Sequence, residues 1–160
     1  MIFGKSLSDY VGFAKAFLIL ILVVGLGRFG LSLAGVPNST TKFLSLTVVF
    51  LLGMIYYAVR VHTSGFGSYK QLLPVLYLVV ILGNCIIIAG IVLAILTGKN
   101  NIFSAPEFSG GVDGKRWSHV GGHVIATALL PLVLWLLGSL IMLVTKKITG
   151  SRTQTGAAGA

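Results

Sequence analysis

The sequence predicts an all-α fold: an integral membrane bundle of four transmembrane helices joined by short loops. Three observations predict it. Of the 160 residues, 56% are hydrophobic and 9% charged, with a mean hydropathy of +0.99, whereas soluble domains carry about 25% charged residues. Four apolar runs each reach the ~20 residues that a helix needs to cross a hydrocarbon core about 30 Å thick. None of these runs contains Asp or Glu, because the three carboxylates, Asp9, Glu107 and Asp113, fall at ends or in loops. Backbone in lipid must satisfy its own hydrogen bonds, and the alternation of a membrane barrel is absent, so each run is read as a helix.

The spans run approximately over 11–35, 43–61, 72–96 and 120–144. The first also has the layout of a cleavable signal peptide: a basic start, the apolar run Ala16–Gly27 and the small-x-small sequence Ser32-Leu33-Ala34. Apolar character resumes at Phe29 beyond Arg28, and this length favours an uncleaved helix. Polar turns at Val36–Lys42 and His62–Gln71 join the first three spans, and a longer loop, Thr97–His119, leads to the fourth. Phe103, Phe108 and Trp117 in that loop are expected at the membrane interface, where amphipathic rings are favoured. The tail at 151–160 is small, polar and glycine-rich, so disorder is expected there. There is no internal repeat and no soluble domain.

Twelve Lys+Arg against three Asp+Glu leave a formal charge of +9. In a soluble chain this balance would suggest nucleic acid. Here the basic residues flank apolar runs, so the expected partners are anionic phospholipids and other transmembrane subunits, and no nucleic acid. Lys5, Lys15, Arg60, Lys70, Lys146, Lys147 and Arg152 share one side, against Arg28, Lys42, Lys99, Lys115 and Arg116 on the other. The positive-inside rule then places both termini in the cytoplasm, in a cell membrane of bacterial inner-membrane type. All five tyrosines fall toward the same side and read as one aromatic belt. The single cysteine, Cys85, excludes an intramolecular disulfide and a CxxC site.

With no carboxylate in the spans, a proton relay or an intramembrane aspartyl dyad is not available. No nucleophile constellation or cofactor motif stands out, so no enzyme activity and no cofactor are expected. His119 and His123 are four residues apart, on one helix face, as a haem or metal pair could be. A zinc ion would need a third ligand, for which Glu107 and Asp113 are the local supply; the plainer reading is two interfacial histidines bonded to backbone. His62 opens the opposite side, so it cannot share a haem with them in one chain.

Arg28 lies about 12 Å inside the end of the first span, where a guanidinium must snorkel to phosphates or find a partner. Pro131 frees the carbonyl of Thr127, and Asn84 at similar depth could take it up. Arg60, His62 and Lys70 around the turn HTSGFGSYK could hold a lipid headgroup, although an ordinary turn would have the same composition. Small-residue pairs recur as Gly12/Ala16, Gly30/Ala34, Gly90/Ala94 and Gly122/Ala126, a spacing that lets helix backbones approach in lipid. The leading functional expectation is therefore a non-enzymatic accessory or assembly subunit of a larger membrane complex. Two alternatives are a haem- or metal-binding redox subunit using His119 and His123, and a small-solute or lipid carrier using Arg28 and Asn84.

Overall fold

A computed structural model describes the backbone of residues 1–157 and side chains as far as Thr149. It contains α1 (Leu7–Leu33), a single-turn α2 (Asn38–Thr41), α3 (Leu46–Thr63), α4 (Tyr69–Thr97) and α5 (Trp117–Ala157). Four of these helices are long and apolar enough to cross a membrane, and no strand is formed among the described residues. The chain is an all-α four-helix bundle and a multi-pass membrane protein. Of the tail at 151–160, helical backbone reaches Ala157 as a continuation of α5, where a disordered start was expected; residues 158–160 lie outside the described residues.

Polar caps set the helix starts. At α1 the Ser6 hydroxyl accepts from the Asp9 amide at 3.1 Å, while the Asp9 carboxylate accepts from the Ser6 amide at 2.8 Å. Ser45 caps α3 by accepting from Val48, and the Gln71 side-chain oxygen accepts from the Ser68 amide at 2.8 Å to open α4. These caps lie a few residues before the apolar runs begin, so α1 and α4 start earlier than hydropathy alone suggests. The second span departs from expectation in its start: α2 and a break at 42–45 precede α3.

α3 and α4 form the inner pair, with 44% of their most apolar stretch buried, against 11% for α1 and 17% for α5. Among the described residues the backbones of α1 and α5 do not approach each other closely. The cross-section is a rhombus, with α3 and α4 meeting across its short diagonal. Missing side chains make the close approaches: the Phe50 ring fills the space that a Cβ on Gly83 would need, and Gly53 and Gly138 admit Phe17 and the Leu72–Met54 pair.

Of the four small-residue pairs, whose spacing suits packing within the bundle or against other chains, three leave their glycines open within this chain. Gly12, Gly30 and Gly122 meet nothing, and the alanines Ala16 and Ala34 are exposed beside the first two. Gly90 and Ala94 do face inward, with Ala94 fully buried, and Gly90 is approached by the Phe103 ring from the loop and by the Phe29 ring of α1. Ala126, one turn beyond Gly122, is half-buried and lines a cavity with Leu130 and Leu134, so it leaves space there instead of closing a contact. The physical reason is geometric: a four-residue spacing puts two small residues on one face but does not decide whether a helix, a loop or lipid covers that face.

α4 and α5 are also joined by side chains that reach backbone carbonyls. The Trp135 indole donates to the Tyr69 carbonyl at 2.7 Å and the Tyr77 hydroxyl to the Ala128 carbonyl at 2.9 Å. Each carbonyl lies within two turns upstream of an internal proline, Pro74 or Pro131, where the helix ladder is weakened. Tyr77 therefore points into the bundle and is not part of an interfacial belt.

Candidate functional site

The site is built where α5 falls short. The cross-links pair Tyr69 with Trp135, Tyr77 with the turn of Ala128, and Asn84 with His123, so α4 extends well beyond the first turn of α5. The segment 98–116 folds down into that space. Asn101, Ile102, Phe103, Ser104 and Ala105 are all buried, and Phe103 packs on Gly90, about 10 Å below the end of α4. The expected interfacial placement thus fails for Phe103, while Trp117 stays exposed.

Irregular backbone at such depth needs internal partners. Asn101 supplies them: its side-chain oxygen accepts from the Phe103 amide at 2.9 Å and its amide nitrogen donates to the Gly90 carbonyl at 2.7 Å. The Ser32 hydroxyl accepts from the Ile102 amide at 2.8 Å, tying the loop to α1.

Beneath this loop lies a cleft of about 280 Å³. α1 contributes Arg28, the α2–α3 junction contributes Lys42, Ser45 and Thr47, α5 contributes His119 and His123, and Phe103 and Phe108 roof it. The Arg28 guanidinium lies 5.1 Å from the Phe108 ring centre and 5.8 Å from that of Phe103. Its Nε is buried without a hydrogen-bond partner. Neither loop acid neutralises it. The one ion pair among the described residues joins Lys115 to Asp113 at 3.3 Å. The Lys115 amide, bonded to the Asp113 carboxylate, holds that acid below its ordinary range, so it stays charged and engaged.

The histidine rings are 5.1 Å apart. His119 Nδ1 donates to the Gly114 carbonyl at 3.1 Å and His123 Nδ1 to the Asn84 side-chain oxygen at 3.0 Å. Both acceptors lack a proton, so each Nδ1 carries one and Nε2 is the ring nitrogen left over. Asn84 thus engages His123, and not the Thr127 carbonyl that depth alone suggested. Its Nδ2 is buried and unpartnered. No cluster of three or more metal-ligating side chains occurs among the described residues, so a metal here would have two histidine ligands beside two cations.

A second cavity of about 150 Å³ shares Thr47, Ile87 and His123 with the first and continues between Phe50, Leu51, Leu130 and Leu134, with Asn84 and Ala126 in its wall. A separate depression of about 360 Å³ between the N-terminal turn and α4 is almost wholly apolar, and the hydroxyls of Tyr10 and Tyr77 beside it are already bonded to carbonyls.

The other residues singled out in the sequence do not converge. Arg60 lies against Phe13 and Tyr56, His62 bonds to Thr149 at 3.2 Å, and Lys70 is exposed. In the turn HTSGFGSYK the Gly67 amide is bonded to the Val61 carbonyl and the Ser68 amide to the Gln71 side chain. In contrast, Arg28, His119 and His123, which the sequence distributes over separate hypotheses, line one cleft, and Asn84 joins them through its bond to His123. Lys42 and the two roofing phenylalanines complete it. Comparison with protein-family models, with curated proteins and with solved structures finds no match, so the reading of this cleft rests on its own geometry.

Proposed function

We propose that this protein is a non-enzymatic accessory or assembly subunit of a larger membrane complex. The observation that supports it is a stripe along α1, Gly12, Ala16, Ile19, Val23, Gly27, Gly30 and Ala34, exposed at every position. Its spacing of three or four residues follows one helix face. A Cβ added at Gly12, Gly27 or Gly30 would meet nothing, whereas Gly25 on the same helix packs against Ile86. Lipid tails are as apolar as leucine, so helices associate through close packing, and small residues on an open face permit it.

Gly27→Leu and Gly30→Leu are expected to release partner chains during purification in mild detergent without altering the bundle's own unfolding. Wild type and both variants running as the same isolated monomer would remove this reading. The basic residues at the end carrying the termini favour a cytoplasmic location for both termini. In a Cys85→Ala background, a cysteine replacing exposed Val112 should then react with an impermeant reagent from outside the cell; labelling only after lysis would reverse the orientation.

A further inference from the structure

We propose that the cleft under the 98–116 loop binds an amphiphile with an anionic head, phosphate or carboxylate: Arg28, Lys42 and His119 face the head, Asn84 the polar linker, and the adjoining cavity the chain. This goes beyond the assembly role and does not depend on it.

Charge comes first. Two permanent cations and two imidazoles line the adjoining cavities, and no carboxylate does. A guanidinium held inside a span is unfavourable unless a counter-charge reaches it, and the chain's own acids are elsewhere. The planar fork of Arg28 suits two oxygens of one phosphate or carboxylate.

The unsatisfied groups agree with the charge. Arg28 Nε and Asn84 Nδ2 are both buried donors, Arg28 in the wall of the cleft and Asn84 in the wall of the adjoining cavity. Asn84 is 3% exposed. Donors without acceptors select an oxygen-rich ligand; a metal cation would leave both unpaired and would sit beside Arg28 and Lys42.

Shape then selects the amphiphile over a free ion. The polar cleft shares Thr47, Ile87 and His123 with the adjoining cavity bounded by Phe50, Leu51, Leu130 and Leu134. Along α4, Asn84 lies one turn from Ile87, about 4.5 Å deeper, at the depth of an ester carbonyl below a phosphate head.

Binding to the full chain in a neutral detergent would be measured by native mass spectrometry. The probes are a single-chain phosphatidylglycerol, its phosphatidylcholine counterpart and inorganic phosphate. The phosphatidylglycerol should bind at least about tenfold more tightly than the zwitterionic lipid, the difference expected of one charge-assisted contact. Arg28→Gln and Lys42→Gln should each weaken it about tenfold, and Asn84→Leu by a few-fold, while Lys70→Gln at the opposite end leaves it unchanged. Lys42 is exposed, so its variant tests the charge even where Arg28→Gln disturbs packing. Equal binding of the zwitterionic lipid, or indifference to both cation variants, would overturn the proposal. So would an equal loss in Lys70→Gln, which marks diffuse surface attraction. Inorganic phosphate displacing the lipid at equal concentration would identify a free-anion site and overturn the amphiphile.

Discussion

At the end of the bundle that carries the termini, rings pack on rings and polar atoms find partners. Phe13 stacks on Phe66 at 3.9 Å, Phe17 and Tyr56 flank Tyr57, and the buried Tyr57 hydroxyl donates to the Ala14 carbonyl at 3.0 Å. The cations there use ring faces: Lys5 lies 4.4 Å over Phe66 and Lys146 4.0 Å over Tyr69. At the loop end the same kinds of residue leave a gap. Arg28 also faces two rings, yet its Nε has no acceptor, and Asn84 keeps an unpaired donor in the wall of the adjoining cavity. The third buried side-chain atom without a partner among the described residues, the small neutral hydroxyl of Ser139, lies at the closed end, one turn beyond Trp135 on α5. One end closes by satisfying its groups save one small hydroxyl, and the other leaves two nitrogen donors, one of them on a cation, without partners. An unsatisfied buried group lowers stability, so a site that keeps two of them trades stability for recognition.

The largest break in this comparison is expected at the closed end. Tyr57→Ala removes a fully buried ring and its hydrogen bond, and should cost about 3–5 kcal/mol, read as a lower midpoint of unfolding in mixed denaturing and neutral micelles. A shift below about 1 kcal/mol would mean that the aromatic cluster does not hold the bundle. A smaller effect is expected for Arg60→Leu, whose guanidinium lies 5.7 Å from the Tyr56 ring. Losing that exposed contact should cost about 0.5–1 kcal/mol. A gain in stability there would erase the contrast between the two ends.

Hydropathy made the four spans legible, because in lipid an apolar run of sufficient length has few alternatives to a helix. Their starts shifted because Ser6, Ser45 and Ser68 begin helices through short-range bonds that hydropathy does not register. The buried loop was not legible. Asn101 and Ser104 read as exposed polar residues, and only the fold shows that they replace water by bonding Gly90, Phe103 and each other. The cleft was half legible. Arg28, Asn84, His119 and His123 each stood out as polar groups in apolar surroundings, but their meeting depends on which helices adjoin, and the small-residue spacing pointed elsewhere. Gly30 and Gly122 face open space, Gly90 meets Phe103 of the loop and Phe29 of α1 with Ala94 buried one turn on, and Ala126 borders a cavity. The tight helix contacts use Gly53, Gly83 and Gly138 instead, which have no comparable spacing. Lys42 was read only as a topology charge, and nothing in the sequence places it opposite Arg28.

The contrast between the two ends is tested most directly at Arg28. Unfolding of wild type and Arg28→Leu would be compared in neutral detergent, with and without saturating single-chain phosphatidylglycerol. Without the lipid, Arg28→Leu should be the more stable by about 1 kcal/mol, since it removes an uncompensated charge from the apolar span. With the lipid the order should reverse, because about tenfold tighter binding stabilises wild type by about 1.4 kcal/mol more than the variant. A variant less stable than wild type in both conditions would contradict the account, since Arg28 would then be an ordinary packing residue with its needs already met.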